Sequence, residues 1–370
     1  MVIEPVIPSA APRPATRPVV IGDAVIGGGR VHVIAGPCAV EERYVEHAVA
    51  AANAGASVLR GCVLKPRTSP DSFQGIGPAG LALLDAAKQA TGRPVLAEPL
   101  EVDDVTVLRP HVDALMIGAR SMHNAPLLRA AGRSGLPVVV KRGMSATYDE
   151  WLQAARYVER EGNDQVILCE RGIRTFETAT RNTLDVSAIA VLRERTDLPL
   201  MIDPSHATGK AAWVGPLAMA AVAAGADALL IESHPDPHHS ACDAAQAVSP
   251  AELESIVIAV QALAGMARCP AVDSLEECRS TIDSIDDAIL QLIEHRAQVV
   301  RAVQQHKARD RRPVRDPERE RAQVERLRSR ASRLDDGGVR QLMTAVIDVC
   351  LEPAAVDDSI PAPDRDRRLA

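Results

Sequence analysis

Short apolar runs rich in Val, Ile and Leu alternate along most of the chain with longer Ala-, Leu-, Glu- and Arg-containing stretches of helical period, as in repeated βα units. The runs are VHVIAG from Val31, SVLRG from Ser57, PVLAE from Pro94, ALMIG from Ala114, PVVVK from Pro137, VILCE from Val166, LMID from Leu200 and ALLIE from Ala228. Eight strands, each but the last followed by a helical stretch or loop before the next, predict an α/β fold closed as a (β/α)8 TIM barrel over residues 19–265. The run from Pro250 to Gly265 supplies the eighth helix, and VVIGDAVIGGG around Gly22-Asp23 predicts a small hairpin ahead of the barrel. After Cys269-Pro270 the strands stop. Leu275, Ile282, Ile285, Ile289, Leu292, Val299 and Val303 recur near helical spacing, which predicts one long helix from Ser274 to Ala308. Pro313 breaks it, Asp316 offers an N-cap with Pro317 at the first helical position, and a third helix is expected from Gly338 to Glu352. The chain therefore reads as a barrel and a C-terminal all-α three-helix domain over 274–354, joined by a linker at 266–273, with flexible tails at 1–18 and 355–370. Three helices bury little core alone, so a homodimer or homotetramer is expected.

Composition narrows the function classes. Hydrophobic residues make up 46% of the chain but aromatic residues only 2%, so the cores must be aliphatic. Seven scattered cysteines without paired spacing argue against a disulfide framework and for a reducing, cytoplasmic setting. No window approaches the ~18 apolar residues of a membrane span. A net charge of −7 with few aromatics argues against nucleic acid as a partner, so any anion must be bound locally.

Reacting groups in such a barrel come from the C-terminal strand ends and the loops after them. Here those ends are polar throughout: Gly36-Pro37-Cys38, Arg60, Glu98, Arg120, Lys141-Arg142, Glu170-Arg171, Asp203-Pro204-Ser205-His206 and Glu232. A single charge at a strand end is usually a solvated one; eight together are not explained that way. Arg60, Lys65, Arg67, Arg120, Lys141 and Arg171 form a cationic set whose burial in one mouth is costly unless anions neutralise it, and phosphate esters are the natural ligands. The KPRTSP loop adds the Thr68 hydroxyl and two prolines that fix its shape. Cys38, His206, Glu232 and a further carboxylate offer soft, borderline and hard donors for one divalent transition ion, Mn, Fe, Co or Zn. His234, His238, His239 and Cys242 lie close enough in sequence to compete, and spacing alone leaves that choice open.

Those residues resemble the type I beta class of 3-deoxy-D-arabino-heptulosonate 7-phosphate (DAHP) synthases over the whole barrel. The matching segments are AGPC (35–38), KPRTSPDSFQG (65–75), IGAR (117–120), VKRGM (140–144), ILCERGIRTFETATR (167–181), DPSH (203–206) and ESHPDP (232–237). The resemblance implies condensation of phosphoenolpyruvate with erythrose 4-phosphate, the first step of the shikimate pathway. It implies metal ligands at Cys38, His206, Glu232 and, in SACDAAQ, Asp243. By the same resemblance, phosphoenolpyruvate is held by Arg60, Arg120, Lys141 and Arg171, and the sugar phosphate by Lys65, Arg67 and Thr68. Lys65 is the favoured proton-transfer group, with Glu98 a lesser candidate. The local departure is Gly61-Cys62-Val63-Leu64, where the family usually carries Gly-Gly-Ala-Phe. A related phosphoenolpyruvate-dependent synthase acting on a different sugar is the alternative, and KPRTSP speaks against it.

On the long helix Arg296 and Lys307 project about 20° apart, while Arg279 lies roughly 80 to 100° from both. Asp316, Arg319 and Glu320 share one edge of the next helix. From Ser274 to about Ala354 the sequence resembles the all-helical chorismate mutase family, through ECRSTIDSID, HR before a basic helix, and PVRDPERE. The resemblance implies a chorismate site of Arg279, reaching the partner subunit, with Arg296, Lys307, Asp316, Arg319 and Glu320, and conversion of chorismate to prephenate. Cys350 and Ala354 stand where that family supplies Ser and then Gln or Glu. Three expectations follow: a working mutase, a regulatory module binding chorismate or prephenate, or a mutase for an amino analogue.

Overall fold

The computed structural model describes residues 16–66, 69, 71–267, 275–331 and 334–351. Its first feature is an antiparallel hairpin, β1 (Val19–Ile21) and β2 (Ala24–Ile26), turned at Gly22-Asp23 with Gly22 at a φ of +61°. Eight parallel strands follow: β3 (His32–Gly36), β4 (Val58–Arg60), β5 (Val95–Ala97), β6 (Ala114–Ile117), β7 (Val138–Lys141), β8 (Val166–Glu170), β9 (Leu200–Ile202) and β10 (Ala228–Glu232). Each pairs with the next, and β10 pairs back onto β3, so the barrel closes. The fold is the predicted (β/α)8 architecture followed by helices.

Side chains of a strand alternate between two faces, and in a barrel one face is the interior. Ile34, Val58, Leu96, Ala114, Met116, Val139, Ile167, Cys169, Met201, Ala228 and Leu230 pack with one another inside. Their neighbours Val33, Leu59, Val95, Leu115, Val138, Leu168, Leu200 and Leu229 face outward into the layer shared with the helices. Val19, Ile21, Ala24 and Ile26 join the interior group, while Val20 and Val25 are exposed. The hairpin thus covers the end of the barrel where the strands begin, and its alternation supplies the apolar face that does so.

Helix entries follow local chemistry. Thr147 and Glu150 form a reciprocal cap on the helix Tyr148–Glu159, and Asn124 accepts from the Leu127 amide ahead of Ala125–Arg133. Trp151 is fully buried, its indole N–H donating to the Val140 carbonyl at 2.9 Å.

The chain divides into units 1–288 and 289–370, and the helix Leu275–Arg309 runs through the division. In the second unit this helix is followed by Pro317–Arg328 and Asp336–Leu351. Asp316 is the N-cap expected from sequence, accepting from the Arg319 amide at 3.1 Å. No helix among the described residues is long and apolar enough to cross a membrane.

Because the hairpin seals the barrel with fully buried aliphatic side chains, Ile21→Ala is expected to lower the unfolding free energy by about 2 to 5 kcal/mol. Denaturant unfolding measures this, and metal stoichiometry should stay unchanged because the substitution lies at the opposite end from the site.

Candidate active site

Strand parity decides which polar residues enter the barrel mouth. Continuing each interior series by two positions from Ile34, Val58, Leu96, Val139, Cys169, Met201 and Leu230 places Gly36, Arg60, Glu98, Lys141, Arg171, Asp203 and Glu232 on the inner face. Arg142 and Glu170 fall on the other face, where they pair with each other at 2.9 Å and Arg142 also binds Asp185. The mouth forms a cavity of roughly 280 Å³ lined by Arg60, Lys65, Glu98, Gly118, Arg120, Lys141, Arg171, Arg181, His206 and Asp243, with Pro66, Ser69, Ser72 and Ala119. A Cβ at Gly118 would sit 2.0 Å from Glu98 Oε1, so only glycine lets that carboxylate occupy its place.

Cys38, His206, Glu232 and Asp243 converge, each offering one donor atom, all within 4.8 Å of one another. Cys38 Sγ lies 3.2 Å from Asp243 Oδ2, and His206 Nε2 lies 3.1 Å from Glu232 Oε1. Such spacing suits a single ion bound at about 2.0 to 2.3 Å. Burial drives the His206 pKa down to about 4, outweighing Asp203, which favours the charged form. The imidazole is therefore neutral at physiological pH, as a ligand must be. Asp243 reaches the group from a left-handed backbone conformation (φ +56°), an uncommon one for a non-glycine residue.

Asp203 organises the residues behind the donors. It caps the short helix Pro204–Thr208, accepting from the His206 amide at 2.9 Å, while its second oxygen lies 2.7 Å from both His206 Nδ1 and Lys141 Nζ. Burial opposes its ionisation, but the adjacent His206 and Lys141 hold the carboxyl well below the usual range. With the Asp203 carboxylate beside Nδ1, Nε2 is the nitrogen that faces the Glu232 carboxylate. Glu232 is held from two sides: Arg60 at 2.6 Å and Gln246 at 2.8 Å, with Ser205 Oγ accepting from its amide.

The cationic residues differ in partnering. Arg60 is paired with Glu232 and Lys141 with Asp203, and Lys65 Nζ donates to the Cys38 carbonyl at 2.9 Å and to its Sγ at 3.0 Å. Among the described residues, Arg120 and Arg171 form no ion pair. Arg171 is nonetheless buried, and burial lowers its pKa. A buried guanidinium without an ion pair, at the wall of a cavity, would be stabilised by an anion.

Of the residues expected from sequence, Cys38, Arg60, Lys65, Glu98, Arg120, Lys141, Arg171, His206, Glu232 and Asp243 are brought together at this mouth. Arg67 and Thr68 lie outside the described residues. Of the competing donors, His238 and His239 are exposed, Cys242 packs beside Cys38 but outside the four-donor group, and His234 belongs to a different cluster. Sequence reasoning gave no role to Asp203, Arg181 or Gln246. Asp203 was open to strand parity; Arg181, which binds Asp243 and Gln246 at 3.1 and 2.9 Å, sits in a loop where no period applies.

The sequence profile of the DAHP synthetase I family matches residues 11–267. The chain belongs to the DAHP synthetase I family. A phospho-2-dehydro-3-deoxyheptonate aldolase of Thermotoga maritima is 46% identical over 230 residues, covering 62% of this chain and 68% of that protein. A 2-dehydro-3-deoxyphosphooctonate aldolase of Syntrophotalea carbinolica is 34% identical over 251 residues, covering 62% and 89%. The crystal structure of the Thermotoga maritima DAHP synthase matches with a TM-score of 0.65 at 43% identity, covering 67% of this chain and 74% of that one. A second profile, chorismate mutase type II, matches residues 278–353. The DAHP synthetase I family is metal-dependent in general, and the donor chemistry at this mouth fits a divalent transition ion.

The second unit begins at residue 289 and so holds Arg296, Lys307, Asp316, Arg319 and Glu320 but not Arg279. Lys307 Nζ donates to the Val314 carbonyl at 2.7 Å, and Arg296 donates to the Val346 carbonyl at 3.2 Å. Arg315, which sequence reasoning passed over, binds Glu320 and Asp348 at 2.9 and 3.0 Å. Arg279 and Arg319 are exposed. A cavity between Pro317–Arg328 and Asp336–Leu351 includes Glu320 in its wall but none of Arg279, Arg296, Lys307 or Arg319. Cys350 is buried, its Sγ 3.7 Å from the Ile293 carbonyl; Ala354 lies outside the described residues.

Two outcomes follow from the Asp203 arrangement. Asp203→Asn keeps the shape but removes the charge that fixes His206, so metal affinity measured by chelator competition should fall about 10- to 100-fold. The metal-free protein should also lose stability in acid. Because the His206 pKa is near 4 in the folded chain and 6.5 ordinarily, the unfolded chain binds more protons between those values. This contribution is complete above about pH 6.5 and is lost as the pH falls toward 4, a slope that denaturant unfolding across that window should show and that His206→Gln should remove.

Proposed function

We propose that the barrel, residues 19–265, condenses phosphoenolpyruvate with erythrose 4-phosphate to give DAHP and inorganic phosphate. The carrying observation is the buried Arg171, without an ion pair among the described residues, beside Arg120 in a cavity whose wall also holds His206 and Asp243, two of the four convergent donors. The cationic wall fits a carboxylate and phosphate on one substrate, and the donor set fits a cation that meets the carbonyl of the other. When bound there, the ion supplies Lewis-acid polarisation of the aldehyde oxygen. Cys38, His206, Glu232 and Asp243 would hold it.

Arg60, Arg120, Lys141 and Arg171 orient phosphoenolpyruvate and offset its charge, so that its C3 can approach the aldehyde carbon of a second anion. Lys65, Arg67 and Thr68 take the sugar phosphate. Lys65 has its ammonium 3.0 Å from Cys38 Sγ, next to the donor group, and is the group assigned to move a proton at the aldehyde oxygen. Glu98, an inward carboxylate at the same cavity, is the second candidate. Water adds at C2 of phosphoenolpyruvate as phosphate departs.

A substrate panel tests the assignment. Phosphate release with erythrose 4-phosphate should exceed that with a five-carbon sugar phosphate by at least about tenfold, the scale one substrate-specific contact provides; the reverse order would make the barrel a 2-dehydro-3-deoxyphosphooctonate-type synthase. Lys65→Met should lower kcat by about 10²-fold or more, and a normal kcat with only a raised KM would reduce Lys65 to a binding role.

The helical segment 274–354 is read as a chorismate mutase domain, acting by orienting chorismate through Arg279, Arg296, Lys307 and Arg319, with Asp316 and Glu320 beside them, in a homodimer or homotetramer. Support comes from the profile match and from the exposed apolar residues Ile282, Ile289, Leu292, Val299 and Val303 along the long helix, a face that suits a second copy. One observation favours a regulatory reading: Cys350 is turned into the packing against Ile293, where the family supplies a polar side chain. Loss of a transition-state hydrogen bond costs about 3 to 4 kcal/mol. Prephenate formation by the full chain is the expected result; zero turnover combined with inhibition of DAHP formation by prephenate would leave only the regulatory role.

A further inference from the structure

Beside the barrel mouth lies a second cluster of donors that shares no residue with the first. Glu41, in the loop after β3, His47, on the helix Tyr44–Asn53, and His234, two residues past β10, bring one ligand atom each within 4.8 Å of one another. Both imidazoles are buried, at 7% and 3% exposure, and their rings meet edge to face at 4.3 Å. Among the described residues, His47 Nδ1 and His234 Nε2 have no hydrogen-bond partner. Glu41 is fixed by the Ala241 amide at 3.0 Å, which leaves its other oxygen 3.5 Å from His234 Nε2 without closing a hydrogen bond.

A buried polar nitrogen left unsatisfied is destabilising, so two together on one wall mark a place where a ligand would be stabilised. The ligand's sign is set by the surroundings. A surface cavity of roughly 830 Å³ opens onto the cluster, and Glu42, Glu46 and Asp236 line it along with Glu41. Arg43, on the same wall, is paired with Glu46 at 3.1 Å. An anion would meet these carboxylates, whereas a cation would meet Glu41 and one ring nitrogen of each histidine.

We propose that Glu41, His47 and His234 form a second divalent transition-metal site, of two-imidazole, one-carboxylate type, suited to Zn²⁺ or Co²⁺ and open to the cavity. His234 Nδ1 accepts from the Asp236 amide at 3.0 Å, so the ring's own proton sits on Nε2. Cation binding moves that proton to Nδ1 and breaks the contact with Asp236, which is exposed and can be hydrated instead. The site is therefore weaker than the one containing Cys38, and it fills second.

Cobalt distinguishes the two. Titrating Co²⁺ into the chelator-stripped full-length chain, the first equivalent should bring thiolate-to-cobalt charge-transfer absorption from Cys38, and a second equivalent should add only ligand-field bands. His47→Gln and, independently, Glu41→Gln should each remove the second equivalent and leave the first intact. Saturation at one equivalent per chain overturns the proposal, as does a second equivalent that survives in both variants.

Discussion

A closed barrel has no interior exit except at its ends, so every inward position beyond the apolar layers must be neutralised inside the mouth or by what binds there. Here the last inward layer carries Arg60, Glu98, Lys141, Arg171, Asp203 and Glu232. Burying that many charges is tolerated only where they are compensated. Arg60 with Glu232 and Lys141 with Asp203 compensate internally. Arg171 does not, and with Arg120 it leaves the mouth poised for an anion; Cys38, His206, Glu232 and Asp243 leave it poised for a cation. Both demands arise from one layer of one barrel.

Each ion pair in that layer also has a positional task. The carboxylate of Asp203 joins the end of β7, through Lys141, to the helix that presents His206, so the lysine proposed for phosphoenolpyruvate and the imidazole proposed for the ion share one reference point. Arg60 similarly ties the end of β4 to Glu232 at the end of β10. Preorganisation of this kind holds reacting groups in place before substrates arrive. The mouth achieves this with residues from strand ends whose separations the hydrogen-bonded barrel already fixes.

The helical unit contrasts with this. Its cations spend their hydrogen bonds on backbone carbonyls, Arg296 on Val346 and Lys307 on Val314, and its long helix keeps several aliphatic side chains exposed. A site assembled between copies of the chain, as proposed above, would supply an apolar cover for that face and further cations. Cys350 is buried in this unit, its thiol packed against the Ile293 carbonyl.

The eight strands, the hairpin, the long helix and the Asp316 cap were all legible in the chain, because hydrophobic period and turn chemistry are local properties. So was the polar character of each strand end. The sequence reading puts Lys141 and Arg171 in the cationic set but gives no reason to prefer them over their neighbours Arg142 and Glu170; adjacent residues differ in which face they take, and that is fixed when the barrel closes. Nor could spacing separate His206 from His234, or show that Asp203, Arg181 and Gln246 hold the donors in place. Those choices depend on distances between residues far apart in the chain, such as the 205 positions between Cys38 and Asp243, and only the tertiary structure brings such atoms to 3.2 Å.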